Sequence, residues 1–224
     1  MNVKQVEARL TWHVQKVSVP DGDMEITSDP WARTHTIRIP RRGYREIEYL
    51  HELAHAVLAE KHHLLSTAYF EKGTPEKSIR NLVNPIRCAS DWFADYLLIQ
   101  WDRDAEIAEI REHAGYAMML GNGACYDPFM VISGGLMIAQ AIQYDDYENF
   151  QKDEAPEAYR QVIPGPYCQV IDALLSVPPE QATVSNKERL INKLAALFCK
   201  ERVRLTDKDD DNGIEVWQIW QEED

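Results

Sequence analysis

Nowhere does this sequence run for about 18 apolar residues, the length a helix needs to cross a bilayer. Its longest apolar stretch, Pro128 to Ile142, is too short and is interrupted by Ser133, Gly134 and Gly135, so it reads as a buried core helix. The opening residues, Met1 to Glu7, are mixed and polar, unlike a signal peptide. Cysteine is scarce: Cys88, Cys125, Cys168 and Cys199 lie far apart and form no C-x-x-C pair. They read as reduced, mostly buried thiols, and the expected location is cytoplasmic. Positive charge is also short, with 24 Lys and Arg against 37 Asp and Glu, a net charge of −13. That balance argues against nucleic acid or an anionic membrane as a partner. No internal repeat is present. The acidic run Asp207 to Gly213 fails as a calcium loop, because its sixth position is Asn212 and its twelfth Gln218. An acidic hairpin turn closed by Asn212-Gly213 fits it better.

What remains is an ordinary soluble composition, 45% hydrophobic and 27% charged over 224 residues, enough for a sizeable core. Within it, His51-Glu52-Leu53-Ala54-His55 reads H-E-x-x-H. Arg45 to His63 has neither Gly nor Pro, and Ile47, Leu50, Ala54, Val57 and Leu58 recur at helical spacing. On a helix, His51 and His55 share one face and can converge on one zinc ion. In the chemistry known for this pattern, the Glu after the first His is the general base that takes a proton from water activated by zinc. Glu52 holds that position. The expected activity is hydrolysis of peptide bonds, with a peptide or protein as substrate. A non-catalytic scaffold that binds a protein or peptide is the alternative.

Two His do not complete a catalytic zinc site. A third His in the H-E-x-x-H-x-x-G-x-x-H arrangement is excluded, since Leu58 and Lys61 occupy the Gly and His positions. His62 shares the ligand face but lies roughly 10 Å further along the helix. A carboxylate from a second helix is the other solution. Asp91-Trp92-Phe93-Ala94-Asp95 puts two acids on one face beside the apolar Ile86, Ala89, Phe93 and Leu97. Asp91 is then the candidate third ligand. Asp95, one turn on, is the candidate acceptor that fixes the tautomer of a ligand His. For the oxyanion the candidates are His35, His113 and Tyr116.

H-E-L-A-H followed by D-W-F-A-D-Y-L-L resembles the gluzincin metallopeptidases. These carry H-E-x-x-H on one helix and E-x-x-x-D, often E-x-x-A-D, on a later one. The resemblance covers roughly residues 34–100. It implies a zincin-like fold, a Zn2+ ion, Asp91 in place of the ligand Glu, and Asp95 as the residue that orients a His. Asp91 departs from the gluzincin Glu by one methylene, as in the aspzincin variation. A more distant similarity is to the ImmA/IrrE-like bacterial metallopeptidases, but aligned on Phe93-Ala94 their ligand Glu would fall near Arg87 or Ala89.

The rest of the chain predicts an α+β fold. It would have a small antiparallel or mixed sheet, the motif helix, and a mainly helical C-terminal half. Residues 3–16 read as a helix or a strand. Lys16 to Thr27 reads as extended, with a turn at Pro20 to Asp23, and Thr34 to Ile39 as a strand stopped by Pro40. This last strand could hold an extended peptide by strand addition. Asn84-Pro85 reads as a helix start, running to about Arg103. Further helices are expected at 104–120, 128–143, 166–176 and 186–203, with an acidic loop at 145–157. A closing hairpin would pair Arg202 to Leu205 with Ile214 to Trp220. Residues 1–120 would form the zincin-like domain. Residues 121–224 would be a helical region that is separate or part of the same domain.

Overall fold

Val14 and Leu10 fit a helical stripe with Val6 on paper, but only Val3–Glu7 (α1) is helical in the computed structural model. The Asn2 side chain caps it by accepting from the Gln5 N–H. The chain then extends. The structure describes residues 1–121, 127–144, 165–205 and 217–221. Three strands follow, His13–Val19 (β1), Glu25–Asp29 (β2) and Thr34–Pro40 (β3). The sheet order is β1-β3-β2, with β1 parallel and β2 antiparallel to β3. Alternation puts Ile26 and Ser28 of β2 opposite Ile37 and His35 of β3, all four buried on one face. The expected Thr34–Ile39 strand is therefore the central one, not an edge. Both its backbone sides are engaged by neighbours, so peptide addition there is excluded. Among the described residues no strand pairs with the outer side of β1 or β2, and the Tyr69 hydroxyl donates to the Ser28 carbonyl of β2.

The motif helix is Glu46–His62 (α2). Glu48 accepts the Arg45 N–H at its start, while Arg45 also pairs with Glu109. At its end His63 takes the left-handed conformation at φ 55°, and the Leu64 N–H returns to the Leu58 carbonyl at 3.2 Å. Burial is not confined to the stripe: every residue from Leu50 to Ala59 except the partly exposed His51 is buried. α2 is thus a core helix that carries its polar motif inside.

Glu76–Trp101 (α3) packs against it. The expected start at Asn84-Pro85 is corrected: Pro85 lies buried inside this helix, with Pro75 before its first turn. An internal Pro costs ~3 kcal/mol in a free helix. Here Leu82, Ile86, Ala89, Trp92 and Phe93 bury one continuous apolar face across it, and that burial outweighs the local cost. The remaining helices are Arg103–Gly121 (α4), Pro128–Tyr144 (α5), Gly165–Leu175 (α6) and Val184–Ala195 (α7).

The expected helix at 186–203 is too long. After Ala195 the chain turns, and Glu201–Leu205 (β4) pairs antiparallel with Trp217–Gln221 (β5). The acidic turn between them, the 145–157 loop and Cys125 lie outside the described residues. The fold is mixed α+β, with seven helices, a three-stranded mixed sheet and a two-stranded sheet among the described residues. One hydrophobic cluster runs from Val6 through Ile37, Leu53, Trp92, Ile138 and Leu190 to Trp217. Among the described residues no helix is long and apolar enough to cross a membrane.

Candidate metal centre and cleft

α2 and α3 lie against each other so that the motif face of one meets the acidic face of the other. His51 Nε2 and His55 Nε2 are 3.1 Å apart. Asp91 Oδ1 is 3.2 Å from His55 Nε2 and 3.7 Å from His51 Nε2. Tetrahedral zinc with bonds near 2.1 Å sets its ligand atoms about 3.4 Å apart. The three observed separations bracket that value. Two facing lone pairs would repel across 3.1 Å, so the two Nε2 atoms share either a proton or a cation. The donor set therefore fits zinc, with His51, His55 and Asp91 converging and a fourth direction left to the cleft.

The neighbours of this cluster set its charge states. Asp95 Oδ1 sits 2.9 Å from His51 Nδ1, which places the proton on Nδ1 and frees Nε2. The other Asp95 oxygen accepts from the Gln140 side-chain amide on α5. Burial works against a charged His51, but Asp95 and Asp91 outweigh it and hold its pKa well above the ordinary value. Burial would likewise raise Asp91; contacts with His51 and His55 override it and lower the carboxyl. A pocket that attracts a proton this way also attracts a metal cation. His55 Nδ1 is buried without a hydrogen-bond partner, so its ring is held by packing and by its Nε2 contacts.

Glu52 is 7% exposed beside the cluster. Burial raises its pKa, and the two His fields only partly offset this. The backbone N–H of Ile26, on β2, acts with them to lower it. Two adjoining cavities, of about 350 and 640 Å3, meet at His51, Glu52 and Asp91. The larger runs between β2 and an apolar wall that includes Val83, Ile86, Phe129 and Ile132.

Five residues singled out in the sequence therefore meet in one place: His51, Glu52, His55, Asp91 and Asp95. The candidate oxyanion donors do not. His35 is fully buried between Ser28 Oγ, at 2.9 Å, and Glu60, at 3.2 Å. Tyr116 is 55% exposed and lines neither cavity of the cleft. His113 alone lines the smaller cavity, half-exposed and 4.0 Å from Glu109.

Two cleft residues were missed. Gln140 is the one amide side chain within the apolar stretch Val131 to Ile142, a signal that was available. Glu106 on α4 is buried in the smaller cavity, its pKa pushed up to about 8 by burial and the field of Asp95. Only the packing of α4 reveals it.

Compared with protein-family models, with curated proteins and with solved structures, the chain has no match in any of the three.

Proposed function

We propose that this chain is a zinc-dependent metallopeptidase of the zincin type. The observation that carries the reading is the convergence of His51 Nε2, His55 Nε2 and Asp91 Oδ1 next to a buried Glu52 in an open cleft. Zinc, when bound, supplies a Lewis acid that lowers the pKa of a water towards ~7 and polarises a carbonyl. The chain's own groups do the rest. Asp95 holds His51 in the tautomer that can bind metal, and Gln140 holds Asp95. Glu52 is the general base, and its raised pKa suits a group that must take a proton near neutral pH and hand it to a leaving amine.

The outer edge of β2 lies along the larger cavity, so an extended peptide can add to it as a further strand. Ile26 of β2 lines this cavity together with Glu52, which sets where that peptide lies relative to the base. The apolar wall opposite favours a substrate with a large apolar side chain near the cut bond.

The test is cleavage of an unbiased peptide library by zinc-loaded protein, read by mass spectrometry. Cleavage that falls by about 10²-fold or more in Glu52→Gln, with zinc retained, supports the reading. A library left intact by the zinc-loaded parent contradicts it and leaves a scaffold that holds a partner without turnover.

A further inference from the structure

A second cavity, of about 260 Å3, opens at the C-terminal end of α2. Thr67 is the one lining residue it has in common with the metal cleft. One of its walls is Lys187. On α7 this residue falls in the apolar series Lys187, Leu190, Ile191, Leu194, all of them buried. A lysine at such a position is out of pattern, and it is 1% exposed. Burying an ammonium without a counter-ion is costly. Yet among the described residues no carboxylate lies within ion-pair distance of it. Its one acceptor there is the Leu65 carbonyl, 2.6 Å from Nζ, which leaves two donor positions unused.

The rest of the lining indicates what is missing. In a chain of net charge −13, none of the described residues that line this cavity is acidic; His63 and Lys187 are the basic ones among them. Trp12, Tyr69 and Trp217 give flat aromatic walls. The volume is just below the roughly 300–1,000 Å3 of drug-sized sites, which suits a single ring. A phosphate needs more donors than one amine supplies; a carboxylate does not. Burial lowers the Lys187 pKa to about 7, opposed only by the field of Asp91. The amine is thus poised to take a proton when an anion arrives.

We propose that this cavity is a binding site for a small monocarboxylate with a flat apolar body, its carboxylate on the Lys187 amine and its ring between the aromatic walls. The site is distinct from the candidate metal cluster, although the field of Asp91 reaches Lys187, and the proposal does not rest on the peptidase reading.

The test is a 19F NMR titration with 4-fluorobenzoate, and with neutral 4-fluorobenzamide as comparator, on both zinc-free and zinc-loaded protein. Saturable benzoate binding, at least about tenfold tighter than the amide and present both with and without zinc, is expected. Lys187→Met, which puts an apolar chain of similar length at a buried position, should abolish that preference. Val184→Trp, which fills the cavity and leaves the amine in place, should abolish binding of both probes. Absence of saturable binding overturns the proposal. So does benzoate binding unchanged in Lys187→Met or in Val184→Trp. Binding seen only with zinc also overturns it, by placing the carboxylate on the metal.

Discussion

At the candidate metal centre Asp95 holds His51 and Gln140 holds Asp95, while His55 Nδ1 has no partner, so substitutions there should separate into distinct effects. Asp95 touches His51 Nδ1 but is not among the converging ligand atoms. Asp95→Asn should weaken zinc about 10–100-fold, as expected for loss of a supporting carboxylate, without removing a ligand. Competition with a chromogenic chelator measures this, and unchanged affinity would show that Asp95 has no part in the site. Glu52→Gln should leave zinc affinity near that of the parent.

His35 allows a test away from the metal. Burial lowers its pKa, and Glu60 only partly restores it. Its folded value therefore lies below the unfolded one of about 6.5, so the unfolded chain takes up the proton first as pH falls. The stability from a neutral His35 is full above pH ~6.5 and is lost on acidification towards the folded value. Glu60 works in the same sense, but at lower pH, because the hydroxyl and N–H of Thr11 and the N–H of Trp12 overcome burial and lower its carboxyl. Between pH 6.5 and about 5, chelator-treated parent protein should therefore lose more stability in urea than His35→Gln. Equal slopes would contradict the assignment. His51 is present in both proteins, so its opposite trend cancels in the comparison.

At the scale of elements, α5 and α6 meet without room for side chains. A Cβ on Gly135 would lie 2.5 Å from Val170 Cγ1 and 2.7 Å from its Cβ; one on Gly134 would lie 2.6 Å from the Tyr167 ring. Ala is the better helix former by up to ~1 kcal/mol. The clash falls on the root of the Val170 side chain, so backbone must shift, and overpacking costs about 1–3 kcal/mol. The clash should win, and Gly135→Ala should lower the urea midpoint. Gly115 in α4 has nothing within 4 Å of an added Cβ, so Gly115→Ala should raise it, by ~0.5–1 kcal/mol. The opposite order would mean that the α5–α6 contact is looser than described.

The same scale shows which parts of the fold could be read in advance. α2 and α5 were legible because their apolar residues are dense and no Pro lies inside them past the first position, and β2 and β3 because their turn residues punctuate them. The start of α3 was not, because a local helix-start signal at Asn84-Pro85 was overridden by burial on both sides of it. The end of α7 was not, because no Gly or Pro between Ala195 and Glu201 stops the helix, whereas the alternation of Val203 and Leu205 did mark the closing strand. The central position of β3 also depends on a partner, β1, that is distant in sequence. In the site, the local pair His51 and His55 and the local pair Asp91 and Asp95 were legible from spacing alone. Glu106 was not, since nothing in α4 marks one of its several acids as buried.

At the scale of the whole molecule, the proposed metal lies between α2 and α3, two helices that both contribute to the larger of the two hydrophobic clusters. Metal should therefore stabilise the entire fold, and zinc should raise the thermal midpoint of chelator-treated parent but not of His51→Ala. The central claim is that His51, His55 and Asp91 hold a zinc ion. The most direct measurement is elemental analysis of protein purified without added zinc, beside His51→Ala and Asp91→Ala. About one zinc per chain is expected in the parent, with loss in His51→Ala and weakened retention in Asp91→Ala. A parent protein that carries no transition metal, and takes up none when zinc is offered, would contradict it.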